Sequence, residues 1–435
     1  MVAADKSRNL YTCSKEIYVK KLEENITAEY KKAAPNETDI VNTKSAEIAK
    51  ELKLDKRMHI YTTSEAFITL KDHKEEFSSR PTFRLINPAK TDVGKVAKQI
   101  IEEISTQLRK ELNVQQWRST KEVIDWFKNI EQKKSKVFYK FDIKSFYPSI
   151  TKNLLEKALA LANEIAQPIP KKDLEIIYHS CESFLFFKGE TWVKKGENGR
   201  FDIPMGSYCG AEISELCGLY ILHKLTSGKN PIFQKNQAGL YRDDGLAHIP
   251  DKGSTRDLNR RIKKVFSEME LEITTDFGLK CTDFLDVNFD LEKDEYSPYR
   301  KPNDEPVYID INSDHPPMIK KQLKNMIQKR LSTLSSSKSV FDRNKSIYET
   351  ALKNAGHQHN LEYEDVENVT SNKRKRKKEV TYYNPPYSSS IITDIGRQFL
   401  KLLDKHFIDG PMANKGLGKY INRNTVNFHM PQIQI

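Results

Sequence analysis

The 435-residue sequence contains no run of about 18 apolar residues, the length that a membrane-spanning helix needs. Its N-terminus lacks the continuous apolar core of a signal peptide. A soluble, intracellular protein is expected. Cysteine is scarce: Cys13, Cys181, Cys209, Cys217 and Cys281 are odd in number, widely spaced and never in a Cys-x-x-Cys pair. That pattern argues against both a disulfide framework and a structural zinc site. No internal repeat is visible. Acid is the minority charge, with 60 Asp and Glu against 72 Lys and Arg.

The resulting net charge of +12 and pI near 9.1 suit a surface that neutralises phosphates, although many soluble proteins are basic. The length leaves ample chain for a core and for roughly two to four domain-sized units.

The stretch Gly239-Leu240-Tyr241-Arg242-Asp243-Asp244-Gly245-Leu246-Ala247-His248-Ile249 reads as two short strands folded back at an acidic tip, with Asp-Asp-Gly as the turn. Adjacent carboxylates repel each other unless a cation sits between them and a third ligand, and hard oxygen ligands suit a divalent metal. For an isolated Asp-Asp-Gly, a solvated turn is the ordinary reading. A second acidic strand end lifts this one. In Val137-Phe138-Tyr139-Lys140-Phe141-Asp142-Ile143 a buried strand ends near Asp142, and a carboxylate there needs a partner or a metal. Pro148 breaks the extended run, and Thr151 can cap a helix with the apolar stripe Leu154, Leu155, Ala158, Leu159 and Ala162. Asp142 can then lie beside the Asp243-Asp244 hairpin. Three carboxylates around two divalent ions match in-line phosphoryl transfer. The alternative is a calcium-stabilised or salt-bridged structural site, but neither acidic position is set in a loop of alternating ligands.

Residues 14–57 read as polar helix interrupted at Pro35-Asn36. Two strand-like runs, residues 66–74 and 80–88, could lay Lys71, Lys74 and Arg84 along a polyphosphate, with a solvent-facing hairpin as the plainer alternative. A helix should follow Pro88, and Trp117, Trp126 and Phe127 read as core aromatics. Gly206, Gly210, Ser214 and Gly218 recur every four residues, so a helix there carries a ridge of minimal side chains open to a template nucleotide or a neighbouring strand. Residues 318–334 suit an amphipathic helix lying on duplex backbone, or a plain surface helix, and a polar stretch follows at Ser335-Ser336-Ser337. Lys373-Arg374-Lys375-Arg376-Lys377-Lys378 reads as a nuclear-targeting or RNA-binding patch, with a solvated charge run as an equal competitor. Beyond it come an extended segment at residues 382–387 and a helix over 395–407 with Ile395, Phe399, Leu402, Leu403 and His406 on one face.

Three stretches carry a family resemblance. Phe141-Asp142-Ile143-Lys144-Ser145-Phe146-Tyr147, Pro204-Met205-Gly206-Ser207 and Tyr241-Arg242-Asp243-Asp244 are similar to the central palm motifs of reverse transcriptases, in the family's order. The chain resembles that family from about residue 66 onward. Cys281-Thr282-Asp283-Phe284-Leu285-Asp286-Val287, Pro298-Tyr299-Arg300-Lys301-Pro302 and Ser313-Asp314-His315-Pro316 narrow the resemblance to the reverse transcriptases of Penelope-like retroelements. The resemblance implies an α+β right-hand polymerase. Residues 1–65 would be a helical N-terminal region, 66–135 fingers, and 136–295 palm with a fingers insertion near 155–200. Residues 296–345 would be thumb, 346–380 an acidic and basic linker, and 381–435 a helical extension.

The activity so implied is RNA-directed DNA polymerisation, adding dNTPs to a DNA or RNA primer on an RNA template, with two Mg²⁺ ions and Mn²⁺ able to substitute. Asp142, Asp243, Asp244 and the backbone carbonyl of Ile143 would hold the metals, with Asp244 the least direct ligand. The resemblance puts Tyr147 under the sugar of the incoming nucleotide and Lys71 and Arg84 on its triphosphate. It also puts Met205 and Gly206 in the nucleotide site and makes Lys280 the general acid for pyrophosphate departure. Nuclear or cytoplasmic residence, and no membrane, is the corresponding expectation. Two departures stand out. Arg242 takes a motif position where many reverse transcriptases have a small or apolar residue, and strand alternation would turn its side chain away from Tyr241 and Asp243. The Gly-Ile-Tyr and Tyr-Ile-Gly nuclease signature does not occur, which points to a truncated or domesticated copy and puts cutting of target DNA in doubt. A viral-type RNA-dependent RNA polymerase is the first rival, disfavoured by a ring at Tyr147. A non-catalytic RNA-binding relic is the second.

Overall fold

A computed structural model describes residues 1–5, 9–54, 64–72, 76–88, 91–196, 199–251, 255–301, 305–365, 390, 398, 401 and 402. These fall into two units, Met1–Asp304 and Glu305–Ile435.

In the first unit, strands β1 (Val2–Ala3) and β2 (Leu10–Tyr11) pair antiparallel. Ser14 then caps α1 (Lys15–Glu29) by accepting from the Ile17 amide, and the helix buries Leu22 and Ile26. A short strand, β3 (Tyr30–Lys32), precedes α2 (Glu37–Glu51), which begins where Pro35-Asn36 breaks the helical pattern. The strand escapes a helix-only reading of this region because its partner is remote in sequence. Strands β4 (Phe67–Leu70) and β5 (Phe83–Ile86) form the expected cation-bearing hairpin. Thr91 caps α3 (Asp92–Leu112), and β6 (Gln115–Gln116) and α4 (Thr120–Lys128) follow.

The central strand is β7 (Lys136–Ile143), and its alternation decides the architecture. After it come α5 (Phe146–Ser149) and α6 (Lys152–Ile165), capped by Thr151, whose expected stripe Leu154, Leu155, Ala158, Leu159 and Ala162 is wholly buried. Helix α7 (Lys171–Ser180) leads to β8 (Leu185–Phe187) and β9 (Glu190–Lys194), and β3, β9 and β8 make a three-stranded sheet. Helix α8 (Gly210–Thr226) is followed by β10 (Ala238–Tyr241), β11 (Asp244–Pro250), α9 (Thr255–Ser267) and β12 (Ile273–Leu279). The main sheet has five strands in the order β12-β7-β11-β10-β6. A further antiparallel sheet joins β13 (Cys281–Phe284), β14 (Val287–Asp290) and β15 (Glu295–Pro298), so residues 296–298, expected to begin the thumb, form a strand of the first unit.

One face of the main sheet presents Tyr139, Phe141, Ile143, Ala247 and Ile249 to helices α3, α6, α8 and α9, through residues such as Ile101, Leu155, Leu216 and Phe266. Each fully buried large side chain contributes on the order of 1.5–3 kcal/mol by leaving water. On the other face, Phe138 meets Phe127 at 6.3 Å and His248 meets Trp126 at 5.6 Å, while Trp117 packs on Phe284 at 5.5 Å. The three aromatics read as core are therefore core, at 3%, 6% and 1% exposure for Trp117, Trp126 and Phe127. Gly245 makes the first layer fit: a β-carbon there would come within 2.0 Å of the Phe141 ring, its cross-strand partner.

The second unit contains α10 (Pro317–Thr333), as expected, and α11 (Lys338–Asn354), which was not. Ser335 and Ser337, read as a polar stretch, are structural: the buried Ser335 hydroxyl donates to Leu331 O, and Ser337 caps α11. Gly356, at φ 81, supplies the left-handed residue just past the helix. Leu323, Ile327, Leu331, Phe341, Leu352 and Leu361 form the core of this unit.

No helix among the described residues is long and apolar enough to cross a membrane. Lys74 and residues 373–378 and 382–387 lie outside the described residues. Of the helix expected over 395–407, residues 398, 401 and 402 are described and are helical.

Candidate active site

The burial pattern of β7 separates two sets of side chains: Tyr139, Phe141 and Ile143 are buried, while Lys140 and Asp142 are only partly so. Asp142 is the register partner of Asp244, with backbones about 5 Å apart as in any antiparallel pair. One step further, the Ile143 amide donates to Asp243 O at 2.9 Å. The sheet thus gathers Asp142, Ile143, Asp243 and Asp244 at one end of the β7-β11 pair.

The hairpin differs from its expected form in two respects. Tyr241 pairs with Asp244, so Arg242-Asp243 is the turn, and Gly245 is a strand residue. Gly245 is glycine because of the Phe141 ring, not because of a turn. Arg242 takes φ 56, in the left-handed region, and its guanidinium lies 5.6 Å over the Tyr241 ring. Strand alternation does not reach Arg242, because the backbone is not extended at the turn. Arg242 folds back over Tyr241.

The four oxygen-bearing residues have the donor chemistry that a hard divalent ion requires. Among the described residues, however, no group of three or more His, Cys, Asp or Glu side chains converges as a metal site. The strands bring the carboxylates to adjacent backbone positions, and side-chain rotation must complete any chelate.

The turn after Asp142 separates two neighbouring rings. Ser145 takes φ 47, Phe146 is sealed in the core, and Tyr147 is half-buried at its edge. A network holds this turn. Lys194 Nζ donates to Pro148 O and pairs with Asp202 at 3.1 Å, and the buried Asp202 carboxylate accepts from Tyr30 at 2.6 Å. Burial and the Asp202 charge push the Tyr30 hydroxyl far above the ordinary phenol range, so it stays a donor.

Gly206 lies in the turn before α8, not on the helix, so the four-residue ridge begins at Gly210. Its φ is 118, and a β-carbon would come within 2.5 Å of Asn87 O. Met205 O accepts from the Asn87 amide at 3.1 Å, which ties this turn to the end of β5. Farther along, a β-carbon at Gly218 would approach Gln116 Nε2 at 2.9 Å, so that part of the ridge serves helix-to-strand packing.

In the hairpin of β4 and β5, the Lys71 amide donates to Thr82 O at 2.9 Å, and Arg84 Nη1 lies 3.0 Å from Asp5 Oδ1. Lys280 is placed elsewhere. Its ammonium binds the carbonyls of Lys134 and Lys136 at 2.9 and 3.0 Å and pairs with Asp251 at 2.9 Å. Lys136 is at the opposite end of β7 from Asp142, about 20 Å away at about 3.3 Å per residue. That distance removes Lys280 from direct proton transfer at the carboxylates.

A cleft of about 360 Å³ opens beside Asp244, lined by Lys140, Tyr241, Asp283, Tyr299 and Lys301 among others. Lys140 Nζ donates to Asp283 O at 2.8 Å and pairs with its carboxylate at 3.1 Å. Burial first, and then the Asp283 charge, raise the Tyr299 phenol above its usual range. The sequence did carry a signal for Lys140, which stands two residues before Asp142 and therefore on its face of the strand. A larger cleft of about 560 Å³, lined by Lys31, Tyr178 and Arg200 among others, contains none of the candidate residues. The carboxylates single out the smaller one.

No protein-family model and no curated protein matches the chain. Among solved structures, it is similar to a telomerase from Candida albicans in complex with a fragment of telomeric RNA. The identity is 13% and the TM-score 0.52, over 78% of this chain and 57% of that one. A telomerase from Candida tropicalis (11% identity, 82% and 64% coverage, TM-score 0.48) and the RNA-dependent RNA polymerase of a human picorbirnavirus (11%, 67% and 65%, 0.42) are also similar. The fold is an α+β right-hand polymerase fold with a palm-type sheet, as expected. The chain spans 57% of the length of the Candida albicans telomerase.

Proposed function

We propose that this chain is a nucleic-acid polymerase, and specifically an RNA-directed DNA polymerase of a Penelope-like retroelement. The observation that carries the reading is the pairing of Asp142 with Asp244, next to the Ile143–Asp243 backbone bond, at the open end of a palm-type sheet. Asp142, Asp243, Asp244 and the Ile143 carbonyl would hold two Mg²⁺ ions, or Mn²⁺ in their place. When bound, the ions activate the primer 3′-hydroxyl and neutralise charge on the transferred phosphorus and the leaving oxygen. The residues of the chain bind and orient. The half-buried Tyr147 supports the sugar of a dNTP, Arg84 and Lys71 face its phosphates, and Gly206 admits close backbone approach beside them. With Lys280 distant, no side chain is assigned as the acid for pyrophosphate departure.

The test is primer extension on poly(rA) with oligo(dT), comparing dTTP with UTP. Extension with a strong preference for dTTP is expected. Asp243→Asn should abolish extension while leaving template binding nearly unchanged, because a metal ligand acts where charge develops in the transition state. Wild-type extension by that variant would sink the assignment, and equal use of UTP would favour an RNA-dependent RNA polymerase.

A further inference from the structure

Helix α9 is the most one-sidedly charged element of the first unit. Its 13 residues, TRDLNRRIKKVFS, carry Arg256, Arg260, Arg261, Lys263 and Lys264 against a single acid, Asp257, which pairs with Arg260 at 2.6 Å. All five cations are exposed. Glu268 and Glu270, also exposed, come only after the helix has ended. Arg261 Nη2 reaches Asn230 O at 3.4 Å, so the exposed Lys229 adjoins the same surface.

The position of this helix excludes the cleft as its target. Its inner side packs against the sheet face that carries Tyr139 and Phe141: Phe266 meets Phe141 at 5.5 Å, and Asn259 accepts from Tyr139 and Thr275 at 2.8 and 3.1 Å. Asp142, Lys140 and Asp244 belong to the opposite face of the same sheet. A strand lying against the carboxylates is therefore separated from the α9 cations by the full thickness of the sheet.

The chemistry of the surface narrows its occupant. The buried Ile262 and Phe266 are committed to the core, and no large hydrophobic residue of α9 is exposed. A membrane-surface helix needs a free apolar side, and a tight protein interface needs an apolar anchor. This helix offers neither. It offers a row of cations, Arg256, Arg260 and Lys263 or Lys264, rising turn by turn at about 5.4 Å. Such a row matches a chain of phosphates better than a single anion. Three of the five cations are Arg, whose planar fork suits phosphate oxygens.

We propose that the outer face of α9 is a second, sequence-independent RNA-binding surface, which holds the single-stranded template RNA that has not yet been copied. The identity of that RNA rests on the polymerase reading; the surface itself does not. Its affinity comes from counterion release, so it is steeply salt-dependent.

The experiment uses the full chain and fluorescence anisotropy with two labelled probes. One is a short template-primer that fills only the cleft, and the other is the same duplex with a long single-stranded 5′ RNA extension. The wild type should bind the extended probe at least tenfold more tightly at low salt. Changing all five cations to Gln should abolish that advantage and reduce the salt slope by about 3.5, at about 0.7 per lost contact on a single strand. Binding and extension of the short probe should not change, which also certifies the fold of the variant. Arg256→Lys, Arg260→Lys and Arg261→Lys together should retain most of the advantage. Unchanged binding of the extended probe by the Gln variant would overturn the proposal. So would competition by poly-glutamate as effective as that by RNA, because the patch would then suit an acidic protein. If neither probe is extended by the wild type but the binding difference persists, the polymerase reading fails and the surface stands.

Discussion

Arg84 has an anionic partner within its own chain: its Nη1 lies 3.0 Å from Asp5 Oδ1, and the Asp5 amide is fixed to Leu70 O at 2.7 Å. The Asp5 side chain is nearly buried, and its second oxygen has no hydrogen-bond partner among the described residues. A phosphate arriving at Arg84 must displace this carboxylate. Asp5→Asn, which keeps shape and removes charge, should lower the KM for dTTP by about two- to fivefold with kcat unchanged, the scale of a partly exposed ion pair. Arg84→Ala should raise KM. A higher KM for Asp5→Asn would instead make Asp5 the group that aims Arg84.

Tyr147 and Phe146 should separate cleanly. A ring under the nucleotide sugar crowds a 2′-hydroxyl and strips it of water, which costs a ribonucleotide on the order of 10²- to 10⁴-fold in efficiency. Tyr147→Ala or Tyr147→Val should raise UTP incorporation while dTTP use falls modestly. Phe146 is 1% exposed, so Phe146→Ala should lower the melting temperature without relaxing sugar choice. The reverse pattern would shift the motif by one residue.

Gly245→Ala tests the packing beneath the carboxylates. The added methyl would sit 2.0 Å from the Phe141 ring, in a layer with no room to yield. A loss of about 1–3 kcal/mol is expected in urea unfolding. Phe141→Leu introduced together with Gly245→Ala should recover part of it, as coupled neighbours do. Strict additivity of the two changes would mean that the ring does not press on Gly245.

His248 makes stability depend on pH. Burial first, and then the Lys136 charge, depress its pKa from 6.5 to about 4, and its Nδ1 lacks a hydrogen-bond partner among the described residues. Below pH 6.5 the unfolded chain takes up a proton that the folded chain refuses until about pH 4, so stability falls as pH drops through that window. The full shift corresponds to on the order of 3 kcal/mol. His248→Gln should flatten the fall between those limits, read from denaturation midpoints at several pH values. An identical pH slope in the variant would assign the loss to other groups.

What the sequence disclosed depended on how local the signal was. The Thr151 cap, the stripe from Leu154 to Ala162 and the strand ending at Asp142 are short-range patterns, and all three hold. The pairing of β3 with β9 joins residues far apart in sequence, so the first fifty or so residues read as helix alone. Arg242 defeated the alternation rule because a positive φ reverses its direction. Lys280 was assigned on loose motif spacing, and strand register put it at the wrong end of the sheet. Lys140 was legible in the alternation of β7, since it stands two residues before Asp142 on the same face.

The Asp142–Asp244 pairing also bears on the order in which the protein folds. The two residues are 244 − 142 = 102 positions apart, whereas β10 and β11 are joined by a two-residue turn. A hairpin of that kind closes in about 1–10 μs, but docking a strand across a hundred-residue loop must first meet a larger entropy cost. The Asp243-Asp244 tip can therefore form before Asp142 docks, although a lone hairpin gains lasting stability only when a third strand joins it. During synthesis Asp142 emerges long before its partner strand, and no N-terminal fragment ending before β11 contains the paired carboxylates. The growing chain therefore cannot pair these carboxylates until β11 has been made.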